Sequence, residues 1–283
     1  MTVRACVVGS TNVDLVLQVP ALPAAGETVL SVDSRREAGG KGGNQAVALA
    51  RLGAEVRFVS AVGDDADGRW SVELLAAEGV DVTDVATVDA PTGLAVVTVD
   101  ATGENSIVVS QGANALVAAP LHFDADVLLV SLEVPLSTIE QSVALARRLA
   151  VPVVLNAAPA QALPAALLDD VDVLIVNEPE WATLGRTATG RVVVTLGSQG
   201  CRVIDGGQER QVPAVPVEVV DTTGAGDCFA AALAYGIGLG HPLEQACRLA
   251  VRAAAFSVTA AGARGGLPNL ALLGGASPSQ LPT

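Results

Sequence analysis

Short, mostly unbroken apolar runs recur along the chain at residues 5–8, 56–61, 127–130, 151–156, 173–176, 192–196 and 201–204. Runs of this length, rich in Val, Ile and Leu, read as strands buried on both faces. Between most of them the apolar positions change to helical spacing, at 44–52, 69–78, 137–149 and 227–238. Strands alternating with helices predict an α/β fold: a mostly parallel central sheet with helices on both faces.

A second group breaks that rhythm. Residues 15–19, 28–34, 93–99 and 106–110 alternate apolar and polar, with no helix between neighbours and a turn such as Asp100-Ala101-Thr102-Gly103-Glu104 joining one pair. They predict a small antiparallel sheet attached to the α/β core. Such a sheet alone leaves an apolar face open. We expect a single domain over residues 1–283, with the strands of this sheet contributed by about 15–34 and 93–110. The tail from 274 to 283, rich in Gly, Ser and Pro, predicts loose chain.

Length and charge narrow the function. A chain of 283 residues can bury a substantial core. Its net charge of −14 argues against nucleic acid or a membrane surface as partner. Cys6, Cys201, Cys228 and Cys247 are scattered and read as small apolar residues or free thiols of a reducing compartment. With no basic start leading into an apolar stretch, and no apolar run of convincing membrane-spanning length, this predicts a cytoplasmic protein. The apolar stretch 229–239 reads as a buried core helix.

Three glycine-bearing segments carry the chemistry. In Asp221-Thr222-Thr223-Gly224-Ala225-Gly226-Asp227, bare N–H groups of Gly224, Ala225 and Gly226 meet a helix start, a ready anion site. Asp227 adds a carboxylate beside it, and Asp221 and Thr223 add oxygen ligands for a hard cation. Anion site, carboxylate and cation together point to phosphoryl transfer onto a hydroxyl. In Gly39-Gly40-Lys41-Gly42-Gly43-Asn44, the glycines let a polar ligand approach the backbone while Lys41 and Asn44 donate to hydroxyls. The spacing is neither a Walker A loop nor a dinucleotide fingerprint. The third segment, Gly9-Ser10-Thr11-Asn12-Val13-Asp14, follows a strand, and Asn12 and Asp14 could hold a vicinal diol at its carboxyl end. Each segment alone also reads as ordinary structure: an N-cap after a turn, a surface loop with a solvated lysine, an Asx turn.

Taken in order, these motifs resemble the ribokinase group of the PfkB family of carbohydrate and nucleoside kinases. Pro-Ala-Ala-Gly-Glu-Thr at 23–28, Gly-Asp-Asp-Ala-Asp-Gly at 63–68, Gly-Ala-Asn-Ala at 112–115, Asn-Glu-Pro-Glu at 177–180 and Thr-Leu-Gly-Ser-Gln-Gly at 195–200 extend the likeness from Gly9 to about Pro268. The resemblance implies ATP-dependent phosphorylation of D-ribose at its 5-hydroxyl, with the small sheet as sugar lid and homodimer contact. It implies Asp227 as general base and the N–H groups of Gly224, Ala225 and Gly226 as anion hole. Histidine is the commoner base, but His122 and His241 lie in no motif.

The resemblance places the sugar on Asn12, Asp14, Gly40, Lys41, Gly42, Gly43, Asn44, Glu133 and Asp227. Asn177 and Glu180 would position Mg²⁺ and phosphates through water. Thr195, Leu196, Gly197, Ser198, Gln199, Gly200, Gly226 and Val251 would line the ATP. A monovalent cation (K⁺) would sit on Asp221 and Thr223 with carbonyls of Ser257, Ala260, Gly262 and Gly266.

The chain departs from the family in two places: residues 182–191 are about twenty short of the usual helix and connection, and the C terminus lacks the usual charged helix. Related possibilities are a kinase for deoxyribose, fructose or adenosine, or a sugar-binding protein without turnover.

Overall fold

The computed structural model describes residues 2–185 and 190–274. The strands, in chain order, are β1 (Arg4–Val8), β2 (Asn12–Gln18), β3 (Asp33–Gly39), β4 (Glu55–Gly63), β5 (Asp81–Val88), β6 (Gly93–Val99), β7 (Asn105–Ser110), β8 (Val127–Ser131), β9 (Val153–Asn156), β10 (Val173–Asn177), β11 (Arg191–Thr195), β12 (Cys201–Asp205) and β13 (Gln208–Val212). The helices are α1 (Lys41–Arg51), α2 (Ala66–Ala77), α3 (Leu136–Leu149), α4 (Ala165–Asp169), α5 (Glu178–Thr183), α6 (Ala225–Gly238) and α7 (Leu243–Ser257).

The main sheet has the order β13-β12-β11-β10-β9-β8-β1-β4-β5. Pairing is parallel from β11 to β5, and antiparallel where β12 and β13 turn back at one edge. Period-two alternation divides the core: Ala5 and Val7 of β1 and Val127 and Leu129 of β8 face one side with α1, α6 and α7. Cys6, Val8, Leu128 and Val130 face the other, with α3, α4 and Trp181 of α5. Both faces are covered, which is why the strands lack polar alternation. In α3, Ile139, Val143 and Ala146 recur at i, i+4 and i+7 and are buried. Each larger side chain so buried contributes about 1.5–3 kcal/mol. α6 is Ala-rich and buried almost throughout, as expected for residues 229–239. A Cβ on Gly236 would lie 2.8 Å from Ala246 Cβ, so glycine sets how closely α6 and α7 pack. Among the described residues no helix is long and apolar enough to cross a membrane. All four cysteines are free and buried.

The second sheet has the order β3-β2-β6-β7. Its outer pairings are antiparallel and the central one, β2 with β6, is parallel. Residues 28–32, expected as strand, carry none, and Leu30 and Val32 are exposed. The strand lies later, in Asp-Ser-Arg-Arg-Glu-Ala-Gly, whose charged side chains suit a solvent-facing edge and conceal the apolar signal. Val219 and Val220, just before Asp221, are exposed loop residues, with Val220 N–H donating to the Val258 carbonyl. Of the expected loose tail, only Gly274 falls within the described residues; 275–283 lie outside, as do 186–189 of the shortened segment.

The order reverses at β1: β4 and β5 continue to one side, β8 and β9 to the other. Clefts open at the carboxyl ends of strands at such a switch point. Ser10 and Glu133, which follow β1 and β8, meet there.

Candidate active site

Two glycine-started helices bring the site together. α1 begins after Gly40, whose φ of 82° is the left-handed region. A Cβ on Gly42 would sit 2.6 Å from the Gly9 carbonyl carbon, so the first turn of α1 lies directly on the β1 turn. α6 begins after Gly224 at φ 74°, where a Cβ would lie 2.7 Å from the Ala263 carbonyl oxygen.

Asp227, in the first turn of α6, is the point where the helices meet. It is 7% exposed. Asn44 Nδ2 donates to its Oδ2 at 3.0 Å, and Gln45 Nε2 donates to its Oδ1 at 3.3 Å. Burial raises its pKa, against the opposing pull of Lys41 and of the Asn44 hydrogen bond. Lys41 faces the opposite balance. Burial disfavours its charge, but Asp227, Glu133, Glu180 and Asp14 outweigh burial and raise its pKa.

Asn12 and Asp14 lie within β2 rather than in the turn before it. Asn114 Nδ2 donates to Asn12 Oδ1 at 2.7 Å and to the Thr11 carbonyl at 3.1 Å, while Thr11 N–H donates to Asn114 Oδ1 at 2.9 Å. Asn114 therefore clamps the β1–β2 turn. Asp14 Oδ1 is buried without a partner. Burial first, then Glu133 and Glu37, push the Asp14 carboxyl up to about 6. Glu133 Oε2 accepts from Ser10 Oγ and from Lys41 N–H, the latter at 3.0 Å, so this carboxylate fixes the start of α1. Gly43 lies two residues beyond Lys41, in the same first turn of α1.

A cleft of ≈ 440 Å³ opens on the other side of α6. Thr195, Gly197, Ser198, Gly200, Gly226 and Val251 line it, together with Ala225, Phe229, Ala254, Ala255, Val258 and the apolar run Val215–Pro216–Val217. Leu196 and Gln199, of the same turn, are not in the lining. Their backbones close the turn instead: Leu196 N–H donates to Gly200 O at 2.8 Å, and Gln199 N–H to Leu196 O at 3.1 Å. Asn177 and Glu180 form a capping box on α5, with Glu180 N–H to Asn177 Oδ1 at 2.8 Å and Asn177 N–H to Glu180 Oε2 at 2.7 Å.

Asp221 Oδ1 accepts from Thr223 N–H at 2.9 Å and from Thr223 Oγ1 at 2.7 Å; its Oδ2 accepts from Gly262 N–H at 2.8 Å. Burial opposes its charge, but these bonds prevail and hold the carboxyl below its usual value. A Cβ on Gly266 would run into the Ser257 carbonyl, so only glycine lets the loop close there. Ser257 is buried at the end of α7, and Ala260 lies three residues beyond it.

Three participants were not foreseen. Gln45 is fully buried on Asp227. Asn114 belonged to a quoted motif without a role. Arg264 donates from Nε to Asn44 Oδ1 at 2.9 Å. A second polar residue next to Asn44, where the apolar stretch of α1 begins, signals Gln45; an arginine inside Ala-Gly-Ala-Arg-Gly-Gly signals Arg264.

The pfkB family carbohydrate kinase model matches residues 3–270. The chain is 40% identical over 279 residues to a ribokinase of Bacillus subtilis (strain 168), covering 93% of this chain and 95% of that protein. It is 32% identical to a deoxyribokinase of Salmonella typhi, covering 93% and 95% respectively. Among solved structures, Arabidopsis thaliana ribokinase complexed with ribose and ATP superposes with a TM-score of 0.87 at 34% identity, covering 97% of this chain and 99% of that one.

Proposed function

We infer from its membership of the pfkB family of carbohydrate kinases, to which the chain belongs over residues 3–270, that it phosphorylates D-ribose with ATP. The products are ribose 5-phosphate and ADP. The observation that carries this reading is the position of Asp227. The glycine turn before it lines the ≈ 440 Å³ cleft, while its carboxylate takes hydrogen bonds from Asn44 and Gln45 of α1. One residue thus faces both the nucleotide side and the sugar side.

Asp227 accepts the proton of the 5-hydroxyl as that oxygen attacks the γ-phosphorus and the bond to the β-bridging oxygen breaks. Its burial-raised pKa makes it a stronger proton acceptor than an ordinary carboxylate. The N–H groups of Gly224, Ala225, Gly226 and Asp227 at the start of α6 stabilise the transferring phosphoryl group. Asn12, Asp14, Gly40, Lys41, Gly42, Gly43, Asn44 and Glu133 form the sugar side. The cleft's apolar lining of Val215, Val217, Val251 and Ala255 suits a flat heteroaromatic base.

Mg²⁺ would supply charge neutralisation at the phosphates. Asn177 and Glu180 offer hard oxygens for it through water. A monovalent cation fits the loop closed by Gly266, with oxygens of Asp221, Thr223, Ser257, Ala260 and Gly262 as donors. Ile107, Val108 and Val109 on the edge strand β7 are 55%, 68% and 49% exposed, which favours pairing of two copies through this sheet.

ATP consumption with Mg²⁺ and K⁺ against D-ribose, 2-deoxyribose, fructose, adenosine and no sugar tests the reading. Ribose-dependent turnover well above the rest is the expected result. Preference for 2-deoxyribose would move the specificity toward the deoxyribokinase relative, and silence with every acceptor would overturn the kinase reading.

Asp14 gives a pH prediction. Its carboxyl, at about 6, accepts hydrogen bonds from sugar hydroxyls best when ionised, so the ribose KM rises as pH falls below about 6. The stability effect has the opposite sign. A carboxyl raised in the fold favours folding while protonated, and that contribution is lost as pH rises from the ordinary carboxylate value through about 6. Asp14→Asn therefore abolishes the pH dependence of KM and raises Tm at pH 7.5 but not at pH 4. A KM in this variant that still climbs below pH 6 would assign the titration elsewhere.

A further inference from the structure

Arg264 sits in the loop between Gly262, which bonds Asp221, and Gly266, which abuts Ser257. Its backbone is fixed from α1, where Arg51 Nη1 donates to the Arg264 carbonyl at 2.7 Å and Arg51 is itself paired with Glu78. Its guanidinium reaches over the first turn of α1: Nη2 lies 2.8 Å from where a Cβ on Gly43 would be. Its donors end on neutral acceptors, Nε on Asn44 Oδ1 at 2.9 Å and Nη2 on the Gly39 carbonyl at 3.4 Å.

This is a costly place for a cation. The N-terminal turn of a helix presents partial positive charge. The residue is moreover half-buried, which adds a desolvation cost for its charge. Folding alone gives little reason for an arginine here, whereas the amide of Asn44 gives one. An arginine offers only donors, so it selects the amide orientation with Oδ1 toward itself. The Nδ2 group must then face Asp227, where it donates to Oδ2 at 3.0 Å. The flipped amide would set oxygen against carboxylate.

We propose that Arg264 is a positioning residue that orients the Asn44 amide toward the Asp227 carboxylate, so that the 262–266 loop holds the catalytic base in its working arrangement. This rests on Asp227 being the base. Removing Arg264 frees the amide, weakens the bond to the carboxylate and removes a nearby positive charge. All three changes favour the protonated, inactive acid.

The test compares wild type, Arg264→Met, Arg264→Lys, Asn44→Ala and the Arg264→Met/Asn44→Ala double variant. Expected for Arg264→Met is a kcat about tenfold lower, the loss of one charge-assisted hydrogen bond, with the acidic limb of the kcat profile moved to higher pH. In the Asn44→Ala background the same substitution has little further effect on kcat, because the residue it acts through is gone. Tm stays level or rises, and Arg264→Lys recovers part of the turnover. A lower Tm with fully additive kcat effects would make Arg264 a structural residue and overturn the proposal, as would an unchanged kcat. A second measurement needs no substrate: the carboxyl ¹³C titration of Asp227, assigned with Asp227→Asn, shifts upward in Arg264→Met and Arg264→Lys to different extents. If wild type shows no ribose turnover but this shift appears, the substrate reading fails and the positioning stands; an unmoved titration overturns the positioning whatever the substrate.

Discussion

Replacing Asp227 by Asn is expected to lower kcat by about 10²- to 10⁴-fold, the contribution of a positioned base, while ribose still binds. The substitution keeps the shape and removes only the ability to accept a proton at working pH. Neighbouring side chains can adapt. The Gln45 Oε1 atom is buried without a partner, so a flip of that amide would let it accept from the introduced NH₂ group. The Asn44 bond survives through the remaining oxygen. Stability moves the other way. A carboxyl whose pKa is raised by burial penalises the fold at every pH above its unfolded value, so its amide variant melts higher than wild type at pH 7.5. Lost turnover with higher Tm is the pattern of a residue kept for chemistry at the expense of stability. Steady-state kinetics, calorimetric ribose binding and a thermal scan report the three quantities separately. Near wild-type turnover would remove Asp227 from the base role, and a fall in Tm would contradict the burial argument.

The strands that were legible beforehand are those buried on both sides, such as β1, β8 and β10, because their apolar runs admit no other reading. Less legible elements had mixed environments. β5 and β13 are edge strands with mostly exposed or half-buried positions, and their polar residues mask the pairing. α7 was missed although Leu243, Ala246, Cys247, Leu249 and Ala250 form a buried stripe, because alanine and cysteine give weak periodicity. The site divides on similar lines. Glycines at helix starts marked Asp227, Lys41 and Asn44, since few other reasons put so many glycines before a helix. Arg264, which bonds Asn44, and Asn114, which bonds Thr11 and Asn12, come from distant segments and meet the site only in three dimensions, while Gln45 follows Asn44 directly but meets Asp227 only where α1 packs on α6. Asn177 and Glu180 show the converse: the family resemblance implies metal positioning for them, and their spacing is that of the capping box they form.

Alanine at Gly42 is expected to cost stability and turnover together, against the ordinary sign of the change. Within a helix, Gly→Ala usually stabilises by about 0.5–1 kcal/mol. Gly42 is helical, yet a Cβ there would meet the Gly9 carbonyl carbon at 2.6 Å, Gly9 Cα at 2.7 Å and Ser10 N at 2.7 Å. These are backbone atoms of the β1 turn, fixed by the Gly9 N–H bond to the Val59 carbonyl at 3.2 Å, so no rotamer change relieves the contact. α1 must move away by about 1 Å, and overpacking of this kind costs about 1–3 kcal/mol, which exceeds the propensity gain. The movement carries Lys41, Asn44 and Gln45 away from Asp227, which is anchored on α6. A misplacement of about 1 Å can cost about 10²-fold in rate. Gly43 provides the contrast within the same turn. A Cβ there meets only the end of the Arg264 side chain at 2.8 Å, with the next neighbours at 3.8 Å. Gly43→Ala therefore leaves Tm level or higher and lowers kcat through Arg264, whereas Gly42→Ala lowers Tm by several degrees and kcat with it. Thermal scans and ribose-dependent turnover on the two variants separate these outcomes, and equal melting temperatures would show that the β1 turn yields where its hydrogen bonding says it does not.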